Sequence, residues 1–484
     1  MIFDNLEPAG IWKYFKEICK IPRLSKNEER IRQYLIDFAK NHNLECKTDT
    51  IGNVLIIKPA NPGYEDRKSV LLQSHMDMVG EKDAATEHDW AKDPIIPYID
   101  GQWVKAKDTT LGADDGIGMA AQLAILTDNE IKTGRIECLF TVDEESGMTG
   151  AIGLESNFFD SKILINLDSE DEGELFIGCA GGFDTVAEIP YSKEKIDNKQ
   201  KALKISVTGL HGGHSGDEIH KGYANSVKIM TGLLQILSNN YGIRISEFNG
   251  GNLRNAIPRE AFAQIICDTE YVNDIRREID EYIKKVKKEY SDTENSMDIS
   301  INNTGLPGFV IDSKTHRSLL DSLSQCPHGV IAWSEDMEGL VETSTNLASV
   351  KFTDTLIRIV TSQRSSVDSA KKDIAAKINR IFTDNNATVE HSGDYPGWKP
   401  NTNSEILNIT KGSYEKLFNI TPIVRAIHAG LECGLILERY PGLDMISFGP
   451  TIKGAHTPQE RLDIDTTIKF WDLLVDVLIN IPAS

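Results

Sequence analysis

In "LLQSHMDMVGEKD" an apolar run ends in a histidine and an aspartate two positions apart. Along an extended chain, residues i and i+2 face the same side, so the carboxylate of Asp77 can hold one nitrogen of His75 while the other faces a ligand. Similar groups follow other apolar runs. "TTLGADDGIG" places Asp114 and Asp115 in a glycine-flanked turn, "LFTVDEESG" supplies Glu144 and Glu145, "LINLD" supplies Asp168 and "FGPTIKGAH" supplies His456. Singly, each has an ordinary explanation: a helix cap for Asp114 or Asp115, a solvated loop for the glutamates and Asp168, a packed ring for His456. Together, two imidazoles and three carboxylates form the donor set for two divalent cations that share one carboxylate.

Two cations about 3.5–4 Å apart repel, so a carboxylate with an oxygen for each has to lie between them. Asp114 is the candidate bridge and Asp115 the alternative. Neutral imidazoles fill outer positions without adding charge, which leaves Glu145 for one cation and Asp168 for the other. Glu144 is then unspent. A carboxylate beside the cations but not on them can take a proton from water and pass it to a leaving amine, so the chemistry expected is hydrolysis.

The elements that must position these groups alternate. "ERIRQYLIDFAKNH" has helical spacing, "GNVLIIKPA" and "KSVLLQS" read as strands, "DDGIGMAAQLAILTD" as a helix, and "RIECLFTVD" and "ILINLD" as strands. This α/β pattern spans 1–184 and resumes over 396–484 with "NSEILNITKGSYEKLFN", "DMISFGP" and "TTIKFWDLLVDVLINI". In open α/β sheets ligands gather beyond the carboxyl ends of strands, where the candidate groups fall. Residues 185–395 differ. Strands such as "KALKISVTGL" alternate with the charged helix "VNDIRREIDEYIKKVKKEYSD", so this stretch reads as an inserted α+β domain with hinges near 185 and 395. Within it, "GGNLRNAIPREAFAQII" can be laid over "TSTNLASVKFTDTLIRIV", Asn252-Leu253 on Asn346-Leu347, which suggests a duplication.

A chain of 484 residues is long enough for two to four domains at roughly 150 residues each. Apolar content of 40% and charged content of 26% fit a soluble globular protein. No apolar run approaches the roughly 20 residues that span a bilayer. The formal charge of -21 repels nucleic acid and anionic membranes, so neither is expected as a partner. Seven scattered cysteines form no CxxC pair, and the start "MIFDNLEPAGIWKYFKEICK" lacks a basic segment followed by an apolar one. A reducing cytoplasm is therefore expected.

The ordered series "SHMDMVGEKD", "TTLGADDGIGMA", "DEESGMTGA", "LINLDSEDEGE", "HGGHSG", "NLRNAIPREA", "HAGLECGL" and "FGPTIKGAHTPQER" resembles the dinuclear-zinc M20 metallopeptidases, and within them the dipeptidases that accept Xaa-His. The resemblance runs nearly end to end. It implies a zinc-peptidase-like catalytic domain with an inserted lid, and hydrolysis of unblocked dipeptides. By carry-over, His75, Asp114, Glu145, Asp168 and His456 are metal ligands, Asp77 orients His75, and Glu144 is the general base. "ADDGIG" has two aspartates where these relatives often have Asp-Asn. His214 in "HGGHSG" matches a histidine that reaches the scissile carbonyl, and Asn255 and Arg364 match substrate-binding positions. An arginine fork suits a peptide's terminal carboxylate. Glu432 and His428 are expected near the substrate amino group. The implied cofactor is a pair of divalent ions, zinc in the family, with manganese and cobalt also suited to oxygen-rich sites. The expected partner is a small peptide, and a homodimer is compatible with the family pattern. A tripeptide aminopeptidase, an N-acyl amino acid deacylase or a non-catalytic peptide- or metal-binding protein on this scaffold are the rival readings.

Overall fold

Four predominantly apolar runs, Val54–Lys58, Val70–His75, Ile136–Thr141 and Ile163–Asn166, form strands buried along their whole length. That pattern suits a sheet covered on both faces. The computed structural model describes residues 2–197 and 199–484. By internal contacts the chain divides into two units: the first comprises the residues up to Cys179 with Pro400–Ala426 and Leu431–Ser484, the second Ala180–Lys399 with Ile427–Gly430. The units thus change over at 179/180 and 399/400, a few residues outside the 185 and 395 expected from composition, and the segment 427–430 also goes with the second unit.

In the first unit the strands run in the order Glu45–Thr48, Val54–Lys58, Ile136–Thr141, Val70–His75, Ile163–Asn166, Asp444–Ser447, Glu174–Cys179, Ile423–Ile427. Ile136–Thr141, Val70–His75, Ile163–Asn166 and Asp444–Ser447 are parallel to one another, in register from Val70 opposite both Ile136 and Ile163. Their carboxyl ends therefore lie along one edge, and the loops leaving them carry the chemistry-bearing residues. The helix Ala113–Thr127 is apolar on nearly every side and buried almost throughout, packed against Ala9–Ile18 with Ala124 beneath Gly10.

The second unit is an antiparallel sheet in the order Asp298–Thr304, Gln200–Thr208, Ala261–Asp268, Arg244–Gly250, Val341–Phe352, Leu356–Ser365, Gly181–Pro190, Thr388–Tyr395, with Gly329–Trp333 added beside Val341–Phe352. It is a duplication. Gln200–Thr208, helix Ser226–Tyr241, Arg244–Gly250, Ala261–Asp268, helix Val272–Glu289 and Asp298–Thr304 make one strand-helix-strand-strand-helix-strand set. Gly181–Pro190, helix Ser313–Gln325, Val341–Phe352, Leu356–Ser365, helix Asp368–Asp384 and Thr388–Tyr395 make the other, with the same strand order. The two meet where Gly250 pairs with Val350, over one continuous core containing Leu203, Leu233, Phe248, Leu347, Ile359 and Phe382. The dipeptides that suggested the repeat are not equivalent. Asn346-Leu347 lies inside a long strand, whereas Asn252-Leu253 falls in the loop after the shorter Arg244–Gly250.

Candidate functional site

His75 is the last residue of its strand, Glu144 and Glu145 follow Ile136–Thr141, Asp168 lies two residues beyond Ile163–Asn166, and His456 follows Asp444–Ser447. All belong to the first unit, and the fold brings them together. His75 Nε2 lies 3.0 Å from Asp114 Oδ1 and 3.2 Å from Asp168 Oδ1. His456 Nε2 lies 3.1 Å from the other Asp114 oxygen, Oδ2, and 2.9 Å from Glu145 Oε2. Asp114 thus stands between two imidazole-carboxylate groups with one oxygen toward each.

The neighbouring Asp115 turns inward, and its Oδ1 accepts the Gly118 N–H at 3.2 Å, the helix-cap role that either aspartate could have taken. Gly118 leaves room there: a Cβ would sit 2.3 Å from that oxygen and force the carboxylate to move. An Asp115 oxygen also lies within 4.8 Å of donor atoms of His75 and Asp168. Asp77 faces the far nitrogen of His75, Nδ1, at 3.4 Å. Its carboxylate also accepts the backbone N–H of Glu144 at 3.0 Å, that of Glu145 at 3.2 Å, and the Ser25 hydroxyl at 2.8 Å. One buried side chain therefore orients both an imidazole and the turn carrying two glutamates.

The electrostatics are those of a cluster short of positive charge. Burial opposes a charge on His75, but Asp168, Asp114 and Asp77 carry its pKa well above the ordinary value. Hydrogen bonds to Asp114 and Glu145 push His456 up to about 11. Burial raises Asp168 to about 6 against the pull of His75, and burial with Asp114 and Asp168 nearby raises Glu170 to about 8. Burial first, then Asp168, Glu432 and Glu145, lift Glu144 well above the carboxylate range. Among the described residues, Glu145 Oε1 and Asp115 Oδ2 are buried without a hydrogen-bond partner. Divalent cations would neutralise the excess and satisfy such oxygens, so this donor set fits the dinuclear centre expected of it.

The remaining candidates fall into two places. Glu432 belongs to the first unit. It is buried, its Oε2 accepts from Gln73 and Thr141 at 2.7 Å each, and its Oε1 has no hydrogen-bond partner among the described residues. Gln73 passes the network on to Asn166, which accepts from Ser447, so polar side chains join the ends of all four parallel strands. His428 lies instead in the second unit, where Ser344 Oγ meets its Nε2 at 2.7 Å and Arg364 Nη1 donates to its carbonyl at 3.5 Å. Half-buried His214 pairs there with Asp217 at 3.0 Å, and exposed Asn255 accepts the Ser215 N–H through its carbonyl. Among the described residues, Arg364 Nε has no hydrogen-bond partner. Sequence reading missed Arg23, Ser25 and Glu460. Only the closeness of Glu460 to His456 in "HTPQER" could have drawn notice.

The sequence profile of Peptidase family M20/M25/M40 matches residues 71–480. A cytosol non-specific dipeptidase of Escherichia coli strain K12 is 42% identical over 481 residues, 99% of each chain. The crystal structure of an aminoacylhistidine dipeptidase from Vibrio alginolyticus superimposes with a TM-score of 0.97 at 42% identity, covering 100% of this chain and 99% of that one. Aminopeptidase PepT from Bacillus cereus shares the fold at a TM-score of 0.58 and 17% identity, over 98% of this chain and 99% of its own.

Proposed function

Since this chain belongs to peptidase family M20/M25/M40, we propose that it is a cytosolic metal-dependent dipeptidase acting on unblocked dipeptides, Xaa-His among them. The observation that carries this reading is the position of Asp114, one oxygen toward His75 and the other toward His456. Full-length likeness to two dipeptidases supports the substrate class. His75 and Asp168 would hold one divalent cation, Glu145 and His456 the other, and Asp114 both. When bound, the pair supplies a Lewis acid for the scissile carbonyl and acidifies water. Zinc is the first choice, and manganese or cobalt would suit the same oxygen-rich donors.

The chain's own groups perform the rest. Asp77, 3.4 Å from His75 Nδ1, is assigned to orient the ring and leave Nε2 for the metal side. Glu144 is the general base: its carboxylate receives a proton from the attacking water and delivers it to the departing amine. We assign the second unit the part of a lid, with His214 donating to the carbonyl oxygen, Asn255 contacting the substrate and Arg364 taking the terminal carboxylate. Glu432, with one oxygen held by Gln73 and Thr141 and one free, is assigned the substrate ammonium. Comparing Ala-His, a tripeptide and an acetylated amino acid tests the assignment, with metal analysis and a chelator control. Turnover should be fastest for Ala-His and should vanish on chelation. Preference for the acetylated compound would make the protein a deacylase of the same family.

A further inference from the structure

We infer that Glu460 and Arg23 form a buried clamp that fixes the Leu111–Asp114 turn against the loops bearing His75 and His456, and that this clamp sets how tightly the centre holds the cation on its His456 side. The inference rests on the dinuclear reading above and assigns work to two residues outside the ligand set. Glu460 follows His456 by four positions and is 2% exposed. Its Oε2 accepts the N–H groups of Leu111 at 2.7 Å and Gly112 at 2.9 Å, and its Oε1 those of Ala113 at 2.7 Å and Asp114 at 3.3 Å. Four successive amides leading into the helix Ala113–Thr127 converge on one carboxylate, an arrangement in which backbone dipoles stabilise a buried anion.

Arg23 holds the same turn from its carbonyl side. It is also 2% exposed. Nη1 donates to the carbonyls of Met76 at 3.1 Å and Asp77 at 2.5 Å, and Nη2 donates to that of Gly112. The turn is shaped around the guanidinium: a Cβ on Gly112 would lie 2.6 Å from Nη2 and one on Gly116 2.7 Å. Two buried charges of opposite sign thus tie residues 76–77, 111–114 and 456–460 together. The consequences for the two cations differ. His75 ends a strand paired on both sides, opposite Thr141, and Leu167 beside Asp168 donates its N–H to Gln73, so that side is anchored by the sheet. His456 lies outside the named strands, and within this network Glu460 joins its loop to the Asp114 turn.

The test strips the wild type, Glu460→Gln and Arg23→Lys of metal, confirms folding by near-ultraviolet circular dichroism, and titrates zinc against a chromophoric chelator. Glu460→Gln replaces an acceptor oxygen with a donor facing backbone N–H groups, and Arg23→Lys keeps the charge but loses the planar fork. Each variant should bind its first equivalent as the wild type does and its second about 10–100-fold more weakly. In both, kcat at limiting metal should fall and recover as zinc is raised, with KM unchanged. Should Glu460→Gln fail to fold, Arg23→Lys carries the same expectation. Two wild-type-like equivalents in a folded variant, or equal weakening of both, overturns the clamp alone. A wild type that takes up fewer than two equivalents overturns the functional reading and the clamp with it.

Discussion

Glu144 and Glu145 are adjacent in sequence, yet their carboxylates have different company. Glu145 meets His456 at 2.9 Å, while among the described residues the Glu144 carboxylate makes no ion pair. Both backbone amides are held by Asp77, so the turn that carries the two side chains is fixed by one buried acceptor. That division separates metal binding from proton transfer. Glu144→Gln should leave two equivalents of metal bound and lower kcat by about 10²–10⁴-fold. Elemental analysis beside steady-state kinetics reads both quantities. A variant that lost its metal along with its activity would make Glu144 a ligand instead.

At the scale of elements, the "LGADDGIG" turn shows what had to be small and why. Gly112 has φ +66°, and a Cβ there would meet Arg23 Nη2 at 2.6 Å and Met78 Sδ at 2.8 Å. Gly112→Ala should therefore cost about 2 kcal/mol of stability, from the left-handed backbone and the crowding together. Urea unfolding of the chelated protein measures this, and an unchanged midpoint would show that the turn can relax. The strands and helices around the site were legible, because continuous apolar runs mark a covered sheet and helical spacing marks the rest. That His75, Asp114, Glu145, Asp168 and His456 converge was legible too, since they stand at or beyond strand ends or in the turns that follow. Which aspartate caps the helix was not, because it depends on which carboxylate turns back to Gly118. Nor were Arg23 and Glu460 legible, since a buried charge and a surface charge look alike in sequence and their partners are mainly backbone groups. The duplication was legible, although its dipeptide anchor was displaced by the unequal strands Arg244–Gly250 and Val341–Phe352.

At the scale of the whole molecule, the duplicated unit depends on a histidine that must stay neutral. His328 Nδ1 accepts from Leu347 N–H and from Asn225 Nδ2, each at 3.3 Å. Asn225 caps the helix Ser226–Tyr241 of one half through its Oδ1, and Leu347 lies in the long strand of the other. Protonating Nδ1 would break both bonds at the seam between the repeats. Burial, with Lys228 adding to it, holds His328 down at about 4. Burial beside Arg244 and Arg317 likewise holds His316, which meets Ser238 through Nε2, at about 4. A histidine whose pKa is lower folded than unfolded binds fewer protons in the native state between about pH 4 and 6.5, so stability rises with pH across that window. The contribution is complete above about 6.5 and is lost progressively as pH falls toward 4, on the order of 3 kcal/mol over the whole window for His328. Denaturant unfolding at pH 7.5 and pH 5, with chelator present in both, should show the wild type losing more stability than His328→Gln, whose amide oxygen can accept in place of Nδ1 without titrating. Equal losses in the two proteins would mean that His328 binds protons alike in the folded and unfolded states, and that its bonds to Asn225 and Leu347 do not depend on its staying neutral.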